Sequence, residues 1–311
     1  MARAILLSIL LLSAAACATA TDPPDVPGDA PAAAILFDDF SYPDALAAEE
    51  NGWILRTAPG WPGVQGARWG KDRLSIHDDP DHPGNRVMRL TSSTDGTSEN
   101  TRQSQFCHER KYLEGTYAAR VRFTGEPVSG ENGDQIVQTF YLISPLKAPM
   151  DLDYSEVDFE YLPNGGWGRK GATFFTTTWE TFRPRPDWEA DNESTDRAAV
   201  YDGWRILVVQ IGEGEVRYFV DGEHFATHGG RVFPEVPMSI NFNLWFIDKG
   251  LQPAGAMRTW VEEVDWVYHR AGVILEPGEV VAAVARLREE GVGFRDSVPV
   301  PVPPLQSPCD F

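Results

Sequence analysis

Positive charge is the scarcest feature of this sequence. The 311 residues include 27 Lys and Arg against 46 Asp and Glu, which gives a formal net charge of −19. Nucleic acids and anionic membrane surfaces are bound through basic patches, so we expect neither as a partner. The sequence also lacks an internal repeat, a glycine-rich phosphate loop and a CxxC pair. Its six histidines have no ligand spacing such as HExxH, which predicts structural or surface roles for them.

Aromatic and turn-forming residues are abundant instead. The chain has 10 Trp, 9 Tyr and 16 Phe, together with 28 Gly and 24 Pro, and 42% of its residues are hydrophobic. This hydrophobic content excludes general disorder, and the many turn residues favour short strands over long helices. At roughly 100–200 residues per domain, the length allows one large domain or two small ones. An acidic, aromatic and turn-rich composition indicates a β protein whose ligand is neutral and hydrophilic, such as a sugar.

The first 20 residues have the features of an export signal. Arg3 supplies the positive start, and the apolar run Ile5–Leu12 is too short to span a bilayer as a helix. Residues 18–20 form an A-x-A cleavage site, which fits a freely secreted protein.

A second processing route is a lipoprotein signal. Residues 12–17 resemble a bacterial lipobox ending in a lipidatable cysteine, Cys17. Residues 21–34 then look like a Pro/Ala/Asp tether. We expect an extracellular or cell-envelope protein, favour a bacterial lipoprotein attached to the membrane through Cys17, and keep free secretion as the alternative.

The other two cysteines predict a disulfide. Cys107 and Cys309 remain as an even pair once Cys17 is lipidated or removed, and disulfides persist in oxidising compartments. A bond between them would pin the Pro-rich tail, residues 298–311, to the rest of the protein. Two unrelated free thiols are the alternative.

The chain from residue 35 to about 270 reads as strands and turns. Apolar alternation predicts strands over residues 116–123, 135–143, 216–220, 224–227, 239–247 and 261–269. Asp221-Gly222 between two of these runs is a strong hairpin signal. Strands at this spacing predict an all-β sandwich of two stacked antiparallel sheets within one domain.

Residues 271–311 differ in character from the strands before them. Glu276-Pro277 opens an amphipathic helix with Val280, Val281, Val284 and Leu287 on one face, and Gly291 ends it. We expect this helix to pack against the outside of the sandwich, followed by the tail.

Three carboxylates occupy alternate positions of one predicted strand. Glu156, Asp158 and Glu160 share one face, and Val157 and Phe159 point the opposite way, into the core. Carboxylates in a row repel one another and raise one another's pKa, which costs stability and suggests a function. An acidic solvated face and a calcium site are the alternatives.

The spacing of these carboxylates suits glycosidic bond cleavage. The Cα atoms of Glu156 and Glu160 are roughly 13 Å apart in a strand, and inward-leaning side chains bring the carboxylates near the roughly 5–5.5 Å of retaining glycosidases. Glu156 would be the nucleophile and Glu160 the general acid and then base. Asp158 would hold or share a proton with the nucleophile.

The segment Glu156-Val157-Asp158-Phe159-Glu160 resembles the E-x-D-x-E signature of glycoside hydrolase family 16. Further similarities follow the family's order: the opening strand at 35–40, a strand at 112–121, the hairpin at 220–222, a strand at 243–245 and the closing strand at 264–268. Together they cover about residues 35–270.

The resemblance implies a β-jelly roll whose concave sheet forms the substrate cleft, and endo-acting cleavage with retention. It implies Glu156 as nucleophile, Asp158 as its assistant and Glu160 as acid and base. The single residue between Asp158 and Glu160 is typical of the family's lichenase and xyloglucan-enzyme side, which favours a β-1,3/1,4-glucan. Ala118, where the family usually has Glu, and the loop at 163–168 depart from the pattern and bear on the substrate.

The resemblance also implies residues that bind the sugar. Trp245 matches a cleft position where an indole ring stacks on a sugar's apolar face, and Asn243 is placed to bind a hydroxyl. The other predicted contacts are Arg120, Tyr141, Trp167 and Trp179, with Trp61 and Trp69 as one wall of the cleft. Ordinary sandwich core is the alternative for the strand aromatics.

A structural calcium ion is the one metal that the resemblance suggests. Asp265 matches a family position that, with backbone carbonyls near the first strand, holds calcium away from the cleft. Calcium takes six to eight oxygens, so one side chain is thin support. We expect no required cofactor, and a monomer.

Three alternative interpretations compete with hydrolysis of a β-glycan polysaccharide. A transglycosylase would use the same intermediate and pass it to a sugar hydroxyl instead of water, which sequence cannot distinguish. A lectin-like jelly roll would bind without turnover, but it would have no reason to keep both Glu156 and Glu160. A calcium-dependent structural module is a third reading of the trio.

Overall fold

Strands dominate the fold, as the apolar alternation and the many turn residues predict. The computed structural model describes residues 34–79, 81–306 and 309. Within them the strands are β1 (Ile35–Asp38), β2 (Trp53–Leu55), β3 (Arg68–Trp69), β4 (Leu74–Asp78), β5 (Arg86–Thr94), β6 (Arg102–His108), β7 (Gly115–Phe123), β8 (Ile136–Ile143), β9 (Glu156–Leu162), β10 (Gly165–Gly166), β11 (Arg169–Lys170), β12 (Thr173–Arg183), β13 (Glu189–Ala198), β14 (Gly203–Gly212), β15 (Glu215–Val220), β16 (Glu223–Gly229), β17 (Ser239–Phe246), β18 (Arg258–Ala271) and β19 (Phe294–Asp296). Helix α1 spans Pro277–Glu289, and short 3-10 helices span Ala45–Asn51, Lys71–Arg73 and Gly230–Val232.

The strands form two layers. One layer, called the cleft sheet below, has the order β2-β6-β17-β8-β9-β12-β13, with every neighbouring pair antiparallel. The second, the outer sheet, has the order β4-β5-β18-β7-β14-β15-β16. Strand β1 pairs with both β18 and β19, which extends the outer sheet. The predicted fold class, an all-β jelly-roll sandwich with a C-terminal helix, is confirmed.

A ladder of phenylalanines fixes the inner face of the cleft sheet. Phe106, Phe242, Phe140 and Phe159 stand directly opposite one another on β6, β17, β8 and β9. Successive ring centroids along it are 5.0, 5.2 and 6.0 Å apart, and each pair is stacked. Because alternate side chains point to opposite faces, burial of Phe159 in this ladder turns Glu156, Asp158 and Glu160 outward, into the cleft.

Helix α1 packs on the outside of the outer sheet, as predicted. Val280, Val284 and Leu287 are buried in a cluster with Phe37 of β1 and Trp266 of β18. The predicted burial of Val281 is wrong, since its side chain is 42% exposed. It directly follows Val280 in the chain, so the two side chains point about 100° apart around the helix.

The C-terminal segment returns to the sandwich in two places. Strand β19 adds to the outer sheet beside β1, which the sequence did not predict. Further on, Cys309 forms the predicted disulfide with Cys107 of β6, with Cα atoms 5.9 Å apart. The tail is thereby pinned to the sandwich. The predicted domain limits stay a prediction.

The predicted signal at residues 1–20, Cys17 and all of the tether except Ala34 lie outside the described residues. In the part of the chain that is described, no helix is both long and apolar enough to span a membrane.

Candidate active site

The three carboxyls of β9 stand at the centre of the cleft sheet. Each is flanked on β8 and β12 by residues that share its face. Asp158 lies between Tyr141 and Thr177, Glu156 between Ile143 and Trp179, and Glu160 between Thr139 and Phe175. Asp158 is 5% exposed and the two glutamates are partly buried. The predicted trio is therefore together on the outward face of the cleft sheet.

Glu156 receives two hydrogen bonds that favour its ionised form. The Tyr154 hydroxyl and the Asp158 carboxyl both donate to it. Burial raises the pKa of Glu156, and these two donors oppose that rise. A carboxylate stabilised in this way suits a nucleophile.

Asp158 is the carboxyl that holds a proton most firmly. Burial raises its pKa well above the usual range, and the negative charges of Glu156 and Glu160 raise it further. The indole nitrogen of Trp179 donates to Oδ2 of Asp158 at 2.8 Å and acts in the other direction. The raised pKa favours a protonated Asp158 whose hydroxyl donates to Glu156, and the proton-sharing role inferred from the sequence stays a prediction.

Glu160 is biased toward the protonated form. Burial raises its pKa, the negative charge of Glu156 raises it again, and one donor, the indole nitrogen of Trp167, lowers it. That nitrogen lies 3.1 Å from Oε2 of Glu160. With one opposing donor where Glu156 has two, Glu160 is the better proton source of the pair.

A tight hairpin places Trp167 above Glu160. Strands β10 and β11 pair Gly165 with Lys170 and Gly166 with Arg169, leaving Trp167-Gly168 as the two-residue turn. Both turn residues have positive φ, 51° and 84°, as a type I′ turn requires. The loop that departs from the family pattern thus presents an indole ring to the acid residue.

Trp245 lies under other tryptophans and is only 5% exposed. Its ring centroid is 6.1 Å from that of Trp61 and 5.8 Å from that of Trp167. These two rings are 51% and 45% exposed, so they offer most of the aromatic surface to a ligand at this side of the cleft. Trp69 is buried in the same cluster. The structure therefore brings the predicted aromatic residues together but places Trp245 behind Trp61 and Trp167.

Tyr141 is held with its hydroxyl proton available. Its oxygen accepts hydrogen bonds from Nε2 of Gln105 at 2.8 Å and Nδ2 of Asn243 at 3.1 Å. These fill both acceptor positions of the hydroxyl, which leaves its proton for a ligand. Asn243 also accepts from Thr139 Oγ1 at 2.6 Å, so its main visible contacts position Tyr141.

A second aromatic group lies near Glu156. Trp179 packs edge-on against Phe182 and Trp188, with centroids 5.9 and 6.2 Å away. Trp188 is 48% exposed. Trp179 therefore combines a contact to Asp158 with a place in the cleft wall.

Arg120 is not part of this site. It lies on β7 of the outer sheet, with its guanidinium 2.7 Å from Asp265 and stacked over Trp204. The predicted contact of Arg120 with substrate is therefore wrong, because alternation on β7 points it away from the sandwich interior and from the cleft.

The surroundings of Asp265 argue against the calcium ion that the resemblance suggested. Its two oxygens accept from Arg120, from Arg288 at 2.7 Å and from Asn85 at 2.7 Å. Two guanidinium groups already neutralise this carboxylate and would repel a divalent cation. Among the described residues, no three His, Cys, Asp or Glu side chains cluster as metal ligands do.

Three contributors were missed in the sequence. Tyr154 is two positions before Glu156, so strand alternation could have predicted that the two side chains share a face. Gln105 and Trp188 carry no local signal, because β6 and the β12–β13 turn reach the site only through sheet pairing.

Comparison with known proteins gives a result for structure and none for sequence. No family model matches the sequence, and no curated protein is similar to it. The structure is similar to the Bacillus licheniformis β-glucanase, with 13% identity, a TM-score of 0.55 and coverage of 76% of this chain and 98% of the other. It is also similar to a glycoside hydrolase family 16 endo-glucanase from Bacteroides ovatus in complex with G4G3G-2F-DNP, with 16% identity, a TM-score of 0.56 and coverage of 74% of this chain and 98% of the other. For porphyranase B of Zobellia galactanivorans the identity is 15%, the TM-score is 0.55, and the coverage is 76% of this chain and 90% of the other. The chain therefore has the jelly-roll fold seen in family 16 glycoside hydrolases.

Proposed function

We propose that this protein is a retaining glycoside hydrolase that cleaves a β-linked, uncharged polysaccharide. The observation that carries the proposal is the β9 trio: Glu156 is held by two donors that favour its ionised form, and Glu160, two positions beyond Asp158 on the same face, has one donor. The shared fold supports it, because the solved neighbours are named as β-glucanases, an endo-glucanase and a porphyranase.

The first step forms a glycosyl-enzyme ester. A carboxylate oxygen of Glu156 bonds to the anomeric carbon as the glycosidic C–O bond breaks, and Glu160 gives its proton to the departing oxygen. Glu156 loses its negative charge when the ester forms. The hydrogen bond that Asp158 donates to Glu156 therefore weakens, and the proton stays on Asp158. The Trp167 N–H stabilises the carboxylate that forms on Glu160.

The second step releases the sugar. Glu160, now ionised, removes a proton from water while the water oxygen bonds to the anomeric carbon and the ester bond to Glu156 breaks. Both carboxyls return to their starting protonation states. A sugar hydroxyl in place of water would give transglycosylation, so the acceptor side of the cleft decides between the two outcomes.

The lining of the cleft favours a neutral substrate. The described hydrogen-bond partners of the three carboxyls are Tyr154, Trp167, Trp179 and one another, and none is cationic. An anionic polysaccharide would be repelled there. We propose a β-glucan, with a β-1,3/1,4-linked chain preferred from the E-x-D-x-E spacing, and endo-acting cleavage from the resemblance.

Export of the protein, with attachment through Cys17, is also proposed. This proposal rests on two points. The N-terminal sequence has the features of an export signal, and the proposed substrate is an extracellular polysaccharide.

A polysaccharide panel with product sizing tests the function. Wild type should release reducing ends from one β-glucan, and Glu156→Gln should lower this rate to no more than about a thousandth while binding is kept. Glu223→Gln, an exposed residue of β16, is the matched control and should retain full activity. Binding without release by wild type would favour a lectin, and unchanged activity of Glu156→Gln would exclude the proposed nucleophile.

A further inference from the structure

Described residues of the C-terminal tail, 298–306 and 309, contact the sandwich, and Cys309 lies beside the cleft sheet. Val298 is buried against the main core, and Val300 lines a groove with Glu50 and Asn51 just before the outermost strand β2. Further along the chain, Cys309 is bonded to Cys107 of β6, the strand next to β2 in the cleft sheet.

Cys107 faces the cleft, which decides where the tail is attached. Across the sheet, Cys107 stands opposite Asn241, Asn241 opposite Tyr141, and Tyr141 opposite Asp158. Directly opposed residues in antiparallel strands share a face, and the neighbouring Phe106 points into the core. The disulfide therefore lies in the same row of side chains as Asp158, three strands away, at about 14 Å given the 4.8 Å strand spacing.

The tail also occupies a hydrogen-bond donor of the cleft sheet, the side-chain amide of Gln105 on β6. Gln105 donates through Nε2 to the Cys309 carbonyl at 2.9 Å and to Tyr141 at 2.8 Å, and its Oε1 accepts from Arg56 at 2.8 Å. An amide has only two N–H donors, so Gln105 has none left for a sugar. Gln105, Asn241 and Cys309 are 1%, 0% and 4% exposed, so this end of the floor is covered.

We propose that the Cys107–Cys309 disulfide and the Cys309 carbonyl form an end wall that limits how many sugar units bind on the β8 and β17 side of the catalytic strand. The cleft on that side is then two strands wide between β9 and the wall, which holds a short run of sugars. This inference rests on the proposed function and deepens it, since it sets the length of chain that the site recognises.

The test compares substrates of increasing length. Gluco-oligosaccharides of one linkage, labelled at the reducing end, are given to wild type and to Cys107→Ser/Cys309→Ser, and kcat/KM and the bond cleaved are measured for each length. In wild type, kcat/KM should stop rising once added units pass the wall. In the double variant, kcat/KM should rise roughly two- to tenfold for each further sugar unit on that side. This is the change expected when each unit gains one or two hydrogen bonds. Identical length dependence in the two proteins would overturn the wall.

Two controls separate the wall from loss of stability. Leu287→Ala weakens the fold through α1, far from the cleft, and should keep the wild-type length dependence. Because the disulfide is buried, wild type is reduced in mild denaturant and returned to native buffer with the reductant kept present; it should then behave like the double variant, which provides a result even where that variant folds poorly.

Binding separates failure of the wall from failure of the proposed function. The same oligosaccharides are titrated calorimetrically into the two proteins carrying Glu156→Gln. A longer binding footprint after loss of the disulfide supports the wall even where wild type cleaves nothing. Cleavage with an unchanged footprint supports the function and rejects the wall, and binding by neither protein rejects both.

Discussion

At the scale of single residues, identical side chains acquire different roles from their surroundings. Glu156 and Glu160 are both glutamates on one face of β9, but Glu156 has two donors and Glu160 has one. The protonated Asp158 between them gives its hydrogen to Glu156. In the proposed mechanism this difference in donors, rather than the glutamates themselves, separates the nucleophile from the acid.

In the proposed mechanism, the indole N–H of Trp167 sets the alkaline limit of activity. It stabilises ionised Glu160 and so lowers its pKa, whereas catalysis needs Glu160 protonated. Trp167→Phe removes the donor and keeps an aromatic ring, so the pKa of Glu160 rises. The alkaline limb of the kcat/KM profile should therefore move to higher pH. Trp61→Phe, on the other side of Trp245 and without a bond to a carboxyl, should leave the limb in place. A limb that stays or moves to lower pH in Trp167→Phe would contradict this role.

The carboxyl trio could be predicted from the sequence because a strand has period two. Arg120 shows the limit of that rule. Its alternation with Ala119 and Val121 correctly predicts that Arg120 points away from the core. The sequence does not show that β7 belongs to the outer sheet, so the prediction that this outward direction is the cleft was wrong. The low exposure of Trp245 could not be predicted for a different reason. It depends on contacts with Trp61 and Trp167, which lie in distant loops.

At the scale of elements, α1 illustrates how one face of a helix stabilises the sandwich. Leu287 is buried on the outer sheet at 6% exposure and Val281, on the same helix, is 42% exposed. Leu287→Ala should lower the free energy of unfolding by about 2–5 kcal/mol, the usual cost of emptying a packed leucine site. Val281→Ala should change it by no more than about 0.5 kcal/mol. Urea unfolding measures both, and similar losses for the two variants would show that the helix does not pack as described.

The sequence did not predict every strand, and two of those that were missed, β13 and β19, carry no apolar alternation. Strand β13, Glu189–Ala198, has eight polar residues and two alanines, since it is the edge of the cleft sheet and has no fully buried residue. Strand β19 is three residues long, too short for a periodic signal. The hairpin β15–β16 was predicted correctly, because Asp221-Gly222 has the positive φ angles, 52° and 83°, that its turn needs.

At the scale of the whole molecule, the disulfide joins residues 202 positions apart. Closing so large a loop restricts the unfolded chain, so its removal should cost about 2–5 kcal/mol. A thiol reductant should lower the melting temperature of wild type and leave that of Cys107→Ser/Cys309→Ser unchanged. No effect of reductant on wild type would mean that the bond is absent or contributes nothing to stability.

The net charge of −19 also acquires a meaning at this scale. The described residues include many exposed acidic side chains, whereas Glu156, Asp158 and Glu160 are gathered on one face of β9 with no cation among their described hydrogen-bond partners. Their clustering costs stability and is retained in a molecule otherwise built on a regular apolar core. Such a cost indicates chemistry at the cleft.

Identification of the residue that bonds to sugar tests the central claim most directly. A 2-deoxy-2-fluoro gluco-oligosaccharide with a dinitrophenol leaving group should form the ester quickly and hydrolyse slowly, because the fluorine destabilises the oxocarbenium-like transition state. Mass spectrometry of the digested protein should find one glycosyl group on Glu156, absent from Glu156→Gln. Dinitrophenol release with the label on another residue, or with no label, would contradict the account.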